Sequence, residues 1–205
     1  MLDCSTRYSD EMSKKGGMVR TNERREALAE SATDYVLDHG IAGLSLRPLA
    51  AAIGTSDRML VYHFGSKDAL VALVIERSNG RSVTALRAIP AARSPREAVA
   101  ALWDRWQQPV VARCLRVYAQ TAALGLLGQE PYLSAARRSN QLWTAAVSDL
   151  LVRSGVPAGR AVRASELADA TLFGLLLDQP VEAGSGHVAV VVRDLADAVE
   201  RISAG

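Results

Sequence analysis

The chain has 205 residues, of which 24 are basic and 22 acidic, so its formal net charge is +2. This balance is too small to indicate a nucleic-acid partner by itself, and two cysteines, Cys4 and Cys114, exclude a disulfide scaffold and a four-cysteine zinc site. Aromatic residues make up only 5% of the chain, which favours helices over a β-sandwich.

The sequence has no pattern of an export signal or a membrane span. The residues before Thr21 are polar and lack an apolar signal core. The longest charge-free stretch in the middle of the chain, Val117 to Gln129, is shorter than the roughly 20 apolar residues that a span needs. We therefore expect a cytoplasmic protein with no membrane partner, and residues 1–21 are expected to form a flexible arm.

Apolar periodicity and turn residues predict nine helices and no strand, and therefore an all-α fold. Serines that precede several of the periodic segments are expected to act as N-caps, Ser45 among them. Helix 4 contains Asn79-Gly80, a dipeptide that can break or kink a helix. The predicted helices are Asn22–Asp38, Leu46–Ile53, Asp57–Phe64, Lys67–Ala88, Pro95–Gln108, Val110–Leu127, Pro131–Ser154, Arg160–Asp178 and His187–Ser203.

Helix 1 carries a stripe of acidic residues beside its apolar face. Glu26, Glu30, Asp34 and Asp38 recur every four residues, which places them on one side of the helix. Such a charged run is usually a solvated face, and we interpret the stripe in that way.

The segment from Leu46 to Lys67 has the features of a helix-turn-helix. That motif needs a small residue in its first helix, where the second helix crosses closely, and a residue four positions later that tolerates the turn. Ala50 and Gly54 have this spacing. The alternative is an ordinary helical hairpin. Apolar contacts between the two helices are expected from Leu49, Ile53 and Leu60.

The same segment resembles the DNA-binding signature of the TetR family of bacterial transcription regulators. The resemblance covers residues 24–73 and rests on spacing, caps and the ending from His63 to Lys67. It departs from the family at Thr55, where Val is usual, and at Val61, where a phosphate-contacting Tyr is usual. The matching residues are Ser45-Leu46-Arg47, Leu49-Ala50, Gly54, Ser56, Leu60, Tyr62-His63-Phe64, Ser66-Lys67 and Leu70.

The resemblance implies a helix-turn-helix DNA-binding domain over residues 22–66 and a helical ligand-binding and dimerisation domain over residues 67–205, connected by helix 4. It implies a dimeric repressor of transcription that a small-molecule inducer releases from a palindromic operator. A ligand-independent architectural factor of the same fold and a helical adaptor protein are the alternatives. No HExxH, GxSxG, P-loop or GxGxxG pattern occurs, so we expect no enzyme, catalytic residue, metal or cofactor.

The start of a recognition helix faces base edges in the major groove, and here that turn holds Asp57, Arg58 and Met59. Arg58 can donate two hydrogen bonds to guanine O6 and N7. Asp57 either accepts from a cytosine amine or caps the helix, and Met59 can touch a thymine methyl group. Arg47 reaches a base or phosphate, or pairs with Asp57. Phosphate contacts are expected from Thr55, Ser56, Tyr62, His63 and Lys67, with His63 alternatively packed in the core.

The N-terminal arm is the most basic part of the chain. Residues 14–25 carry five positive charges and one negative charge, whereas residues 18–80 as a whole carry seven basic and eight acidic side chains. DNA binding must therefore rely on segregation of charge within the domain. We expect the arm to lie against phosphates or in a minor groove.

The last two helices have the patterns of a dimer interface. Apolar residues on helix 9 recur at alternating spacings of four and three, an a/d seam, and helix 8 is apolar nearly all round. Either a second copy of the chain or other helices of the same chain must cover them. The resemblance implies a four-helix dimer interface. Its expected residues are Leu167, Thr171, Gly174, Leu175, Val188, Val192, Leu195, Val199 and Ile202.

The resemblance also implies a pocket for a small molecule, enclosed by the helices that precede the dimer interface. Large side chains of helices 5 to 8 are its candidate lining, although each can equally be a plain core residue. Their aromatic character indicates an apolar or planar ligand. The candidates are Trp103, Trp106, Tyr118, Leu124, Trp143, Val147 and Phe173.

Overall fold

The computed structural model describes residues 4–178 and 186–205. Within these ranges the chain forms nine α-helices and no strand, so the predicted all-α fold is confirmed. Ser56, Ser66 and Ser94 cap the helices that follow them by accepting a backbone N–H. The helices are α1 Cys4–His39, α2 Leu46–Ala52, α3 Asp57–Phe64, α4 Lys67–Arg87, α5 Pro95–Trp106, α6 Pro109–Leu126, α7 Tyr132–Arg153, α8 Ala158–Asp178 and α9 His187–Ala204.

Two of the predicted helices differ from the structure in more than their last residues. Helix α1 begins at Cys4 instead of Asn22, so the described backbone of residues 4–21 is helical, while the flexible arm over residues 1–21 stays a prediction. This segment contains no proline, and its Gly16-Gly17 pair costs only about 1 kcal/mol per glycine in a helix. Helix α4 runs unbroken through Asn79-Gly80, because buried residues on both sides of the dipeptide hold it in place.

The buried side chains form two clusters that share α4. The first cluster contains the apolar faces of α1 to α3 and the part of α4 up to Ile75, and it also takes Cys114, Val117 and Ala135 from α6 and α7. The second begins on α4 at Val83 and contains most of the buried apolar residues of α5 to α9. The N-terminal helices therefore close their core on α6 and α7, and a domain boundary between residues 66 and 67 stays a proposal.

The acidic stripe of α1 is exposed, as the sequence predicts, and it also forms ion pairs with α4. Arg77 of α4 pairs with Glu26 and, at 3.3 Å, with Glu30. Arg81 pairs with Glu30 and, at 2.7 Å, with Asp34. The sequence alone did not show these pairs, because the two arginines that neutralise the stripe are brought to it by the packing of α4 along α1. We call this set of four ion pairs the α1–α4 ladder.

Two further contacts hold the end of α1 to α6. Arg113 Nη1 lies 2.8 Å from a carboxylate oxygen of Asp38. Gln120 Oε1 accepts the backbone N–H groups of Ile41 at 2.7 Å and Ala42 at 3.0 Å. Gly40 makes this approach possible, because its φ is +84° and a Cβ there would lie 2.8 Å from Gln120 Oε1.

The a/d seam of α9 packs inside its own chain. Leu195 and Val199 are buried in the second cluster together with Leu175 of α8, and the remaining seam residues, Val188, Val192 and Ile202, pack against the same cluster. The three buried residues cover α5 and α8 within the chain and are not accessible to a partner. The half-buried Val188, Val192 and Ile202 stay proposed residues of a dimer interface. The pattern shows that the face needs covering, but it cannot say by which helix.

No helix within the described ranges combines the length and the apolar character that crossing a membrane would require.

The α1–α4 ladder gives a testable contribution to stability. We expect Arg81→Ala to lower the free energy of unfolding by about 0.5–2 kcal/mol, because it removes two partly exposed ion pairs. The loss should shrink in about 1 M NaCl, where exposed charges are screened. Urea unfolding at low and high salt measures both effects. Arg87→Ala is the matched control, since Arg87 is exposed on the same helix and has no ion pair in the described part of the chain. An equal loss for both variants would contradict the assignment.

Candidate DNA-binding surface and internal cavity

Helices α2 and α3 form a helix-turn-helix through one tight turn. Gly54 has a φ of +70°, a conformation that glycine adopts without strain, and Thr55 donates its N–H to the carbonyl oxygen of Ala50 at 2.9 Å. Ala50 and Leu60 are buried where the helices meet. The spacing of Ala50 and Gly54 therefore does produce the predicted turn.

The first turn of α3 is held by its own side chains. Ser56 Oγ accepts the N–H of Met59 at 3.2 Å, and Asp57 Oδ1 accepts the N–H of Arg58 at 2.8 Å. The structure thus engages Asp57 with the helix end, the second of the two roles considered for it. Ser45 occupies the N-cap position of α2, but its side chain makes no capping hydrogen bond, contrary to expectation.

The base-contact candidates Arg58 and Met59 and the phosphate candidate Tyr62 are presented to solvent. Arg58 is exposed, Met59 is 40% exposed and Tyr62 is 71% exposed. Arg58 and Tyr62 are four residues apart and so share one side of α3. Arg47 is also exposed and forms no ion pair with Asp57 in the described part of the chain.

The phosphate candidates around α3 are not equally accessible. Ser56 and Lys67 are exposed, whereas Thr55 and His63 are half-buried. His63 Nε2 is buried without a hydrogen-bond partner in the described structure, so that nitrogen is not available to a phosphate in this conformation. The His63 ring packs edge-on against Tyr62, with 5.1 Å between ring centroids.

Arg25 fixes the recognition helix to α1. Its Nε donates to the carbonyl oxygen of His63 at 3.2 Å, and its guanidinium lies 5.3 Å from the centre of the Phe64 ring. The contact satisfies a carbonyl group at the end of α3, where helix carbonyls lack intrahelical partners. From the sequence, Arg25 was counted among the charges of the basic arm, and only the packing of α1 on α3 shows this role.

A cavity lies between the five helices α4 to α8. Four of the seven predicted pocket residues line it: Trp106, Tyr118, Trp143 and Phe173. The other three do not. Trp103 packs at the edge of the second cluster, Val147 is fully buried within that cluster, and Leu124 is half-buried near the end of α6. Trp103 and Trp106 thus lie in different surroundings although they are only three residues apart.

The aromatic walls of the cavity are built from two edge-on pairs. Trp106 and Trp143 have ring centroids 5.7 Å apart, and Tyr118 and Phe173 have centroids 5.5 Å apart. The space between them is narrow, with about 20 Å³ in which the centre of a water molecule fits, so a larger ligand requires side chains to move. The polar part of the lining, which the sequence analysis missed, consists of Ser78, Asn79, Ser82, Ser139 and Asp169.

Asp169 is the charged residue of this lining. Burial raises the pKa of its carboxyl group from 3.8 to about 6, and the nearby indole N–H of Trp143, which does not reach normal hydrogen-bond geometry, offsets part of that rise. Burial also raises the pKa of the Tyr118 hydroxyl, with a smaller contribution from the Asp169 charge. The sequence signal for Asp169 is weak: it is an acidic residue between Ala168 and Leu172 of a mostly apolar helix.

Comparison with known proteins places the N-terminal helices in a described family. Residues 29–74 match the family model for bacterial regulatory proteins of the TetR family. The transcriptional regulator BetI of Rhizobium meliloti, described as helix-turn-helix type, is 31% identical over 167 residues, which cover 78% of this chain and 79% of that protein.

Solved structures share the fold over most of the chain. A transcriptional regulator of a Rhodococcus species is 22% identical, with a TM-score of 0.66 over 87% of this chain and 95% of that one. GusR of Salmonella enterica is 18% identical, with a TM-score of 0.63 over 86% of this chain and 95% of that one. At these identities the likeness shows the fold alone.

The buried carboxylate of Asp169 should cost stability. The pKa of its carboxyl group is 3.8 in the unfolded chain and about 6 in the folded chain. The folded state therefore loses stability as the pH rises from about 4 to about 6. We expect Asp169→Asn to raise the free energy of unfolding by about 1–3 kcal/mol above pH 6 and to change it little below pH 4. Chemical unfolding across this pH range measures the difference; a destabilised variant at pH 7.5 would contradict it.

Proposed function

The chain belongs to the TetR family of bacterial regulatory proteins and is a transcriptional regulator, and from this premise we propose that it is a cytoplasmic, dimeric repressor which a small molecule releases from a palindromic operator. The observation that carries the proposal is the capped, exposed first turn of α3, which leaves Arg58 and Met59 free to contact bases. In this role the protein needs no catalytic residue, metal or cofactor.

We infer that α3 enters the major groove and reads bases with its first turn. Arg58 contacts guanine and Met59 a thymine methyl group. The exposed Ser56 and Lys67 contact phosphates, and Lys67 lies at the N-terminus of α4, where free backbone N–H groups attract anions. Tyr62, Thr55 and Arg47 are the further contacts of the proposed surface, and the basic residues before Arg25 add non-specific affinity.

The proposed dimer uses the outer face of α8. Leu167, Thr171 and Gly174 share this face, and Leu177 borders it with 52% of its surface exposed. A Cβ placed on Gly174 would meet no atom of another helix within 4 Å, so α8 leaves room there for close approach by a partner. A two-fold dimer through this face would present two α3 helices to half-sites whose centres lie about 34 Å apart, or a multiple of that distance.

Helix α4 is the proposed connection between ligand and DNA. Ser78, Asn79 and Ser82 line the cavity, while the neighbouring Arg77 and Arg81 hold α1 through the ladder. A ligand that displaces α4 would therefore move the helix-turn-helix as well. A coupling of about 1–3 kcal/mol would weaken DNA binding roughly 5- to 150-fold.

A ligand-independent architectural DNA-binding protein is the second candidate function. The narrowness of the cavity favours it, since a protein that binds no effector needs no larger space. The two functions differ in one measurement. A repressor of the first kind loses its operator on addition of an effector, whereas an architectural protein does not respond.

Arg58 provides the test of base reading. After selection of bound sites from random DNA, Arg58→Ala should lose about 1–3 kcal/mol of affinity, roughly 5- to 150-fold, and should relax the preference at one base pair of each half-site. Lys67→Ala is the matched control, because loss of a phosphate contact should weaken all sequences alike and reduce the salt slope by about 0.9. Fluorescence anisotropy at several salt concentrations measures both. Unchanged sequence preference in Arg58→Ala would contradict the proposed reading.

The dimer face is tested by placing a charge on it. Leu167→Glu should convert the dimer into a monomer, because two buried carboxylates would face each other across a two-fold interface. Val162→Glu changes an exposed residue of the same helix on a different side and should leave the dimer intact. Analytical ultracentrifugation gives the mass of each variant. A dimeric Leu167→Glu protein, or a wild-type monomer, would rule out this interface.

A further inference from the structure

The cavity enclosed by helices α4 to α8 contains a negative charge that no positive side chain of its lining neutralises. No basic side chain of the described residues lines the cavity, and Asp169 forms no ion pair in the described part of the chain. Its carboxyl group is still ionised at neutral pH, since its raised pKa is about 6. An unpaired buried carboxylate is unfavourable in a folded protein, and a positively charged ligand would compensate it.

The rest of the lining suits a cation. The rings of Trp106, Trp143, Tyr118 and Phe173 surround the same space as Asp169, and the faces of aromatic rings attract ammonium groups. An anion would be repelled by Asp169. A neutral apolar ligand would exclude water from the carboxylate and offer it nothing in return.

The cavity also holds a donor without an acceptor. Trp106 is only 1% exposed, and its indole N–H is buried with no hydrogen-bond partner in the described structure. Buried indole N–H groups normally find a partner, so a ligand with an oxygen acceptor beside its charge would satisfy this one. The Trp143 N–H is already turned towards Asp169.

We propose that this cavity binds a small organic cation, an amine or a quaternary ammonium compound, with Asp169 as its counter-charge and the rings of Trp106 and Trp143 as its walls. The inference rests on the proposed function, because it names the chemical class of the effector. It replaces the expectation of an apolar or planar ligand, which took account of the aromatic residues but not of Asp169.

We infer that such a ligand enters between α4 and α7. A surface groove on this side shares Ile75, Asn79 and Ser139 with the cavity lining, and Glu76 and Arg138 flank it. A cation that enters here passes along α4. It therefore reaches Asp169 beside the helix that also carries the α1–α4 ladder.

The charge preference is tested with two probes of nearly equal shape. Calorimetric titration of the full chain at pH 7.5 with benzylammonium and with benzyl alcohol compares a cation with its neutral counterpart. We expect benzylammonium to bind at least about tenfold more tightly. Tetramethylammonium, a smaller cation, should also bind. Equal affinities for benzylammonium and benzyl alcohol, or no binding of either cation, would overturn the proposal.

Substitutions assign that preference to the cavity. Asp169→Asn should abolish the difference between benzylammonium and benzyl alcohol, whereas Asp104→Asn, a change of an exposed carboxylate outside the cavity, should retain it. Trp106→Phe should weaken binding of the cation, and Trp103→Phe, its matched control, should not. A cation preference that survives in Asp169→Asn would show that the charge is recognised elsewhere.

The pH dependence of cation affinity distinguishes a binding role of Asp169 from a merely structural one. The cavity-lining residues on α4, α5 and α7 have no titratable side chain, and no residue of α9 lines the cavity. Burial raises the pKa of Cys114 and of Tyr118 on α6, which keeps both side chains neutral. Affinity for benzylammonium should therefore fall roughly tenfold from pH 7 to pH 5 as Asp169 becomes protonated. The Asp169→Asn variant should show a flat profile, and a flat profile in the unmodified protein would contradict the proposal.

These titrations contain no DNA, so they separate the two proposals. A chain that binds selected DNA but no cation would remain a regulator with a different effector or none. A chain that binds benzylammonium through Asp169 but no DNA would retain the cation site and lose the proposed function.

Discussion

The structure depends on α4 belonging to two cores at once. Its first half packs with α1 to α3, and its second half packs with the C-terminal helices. The side of α4 that faces α1 carries Arg77 and Arg81, whose ion pairs fix its position along that helix. A shift of α4 therefore cannot stay local, because it disturbs packing and ion pairing at both ends of the molecule.

The strength of these contacts is compatible with the proposed displacement of α4 by a ligand. Partly exposed ion pairs contribute little individually, about 0–1 kcal/mol each, so ligand binding can offset several of them. The hydrogen bonds from Ile41 and Ala42 to Gln120 and the pair between Asp38 and Arg113 anchor the far end of α1 to α6. Together with the apolar contacts of the first cluster, these contacts tie the helix-turn-helix to the cavity walls.

Asp169 shows how the proposed function opposes stability. The Asp169 carboxylate lies partly buried among aromatic rings, and its raised pKa indicates that it makes the folded chain less stable at neutral pH. Core positions of helices usually carry apolar residues because such charges are costly. A cost of this kind is expected at a binding site, where the ligand supplies the missing partner.

The sequence alone determined the local structure, which depends on residues that are neighbours along the chain. The nine helices of residues 4–178 and 186–205, the serine caps of α3 and α4, and the turn at Gly54 follow from local backbone preferences, so they could be predicted. It also indicated four of the cavity's aromatic residues, because large side chains on apolar helices are mostly buried.

Only the tertiary structure decided which faces meet. Arg77 lies 47 residues from Glu30 and 51 from Glu26, and no periodicity within one helix can pair them. The a/d seam of α9 could equally have met another chain, and Asp169 could equally have faced solvent. In each case the pattern of one helix establishes that a face needs a partner, while the partner depends on packing between segments far apart in the chain.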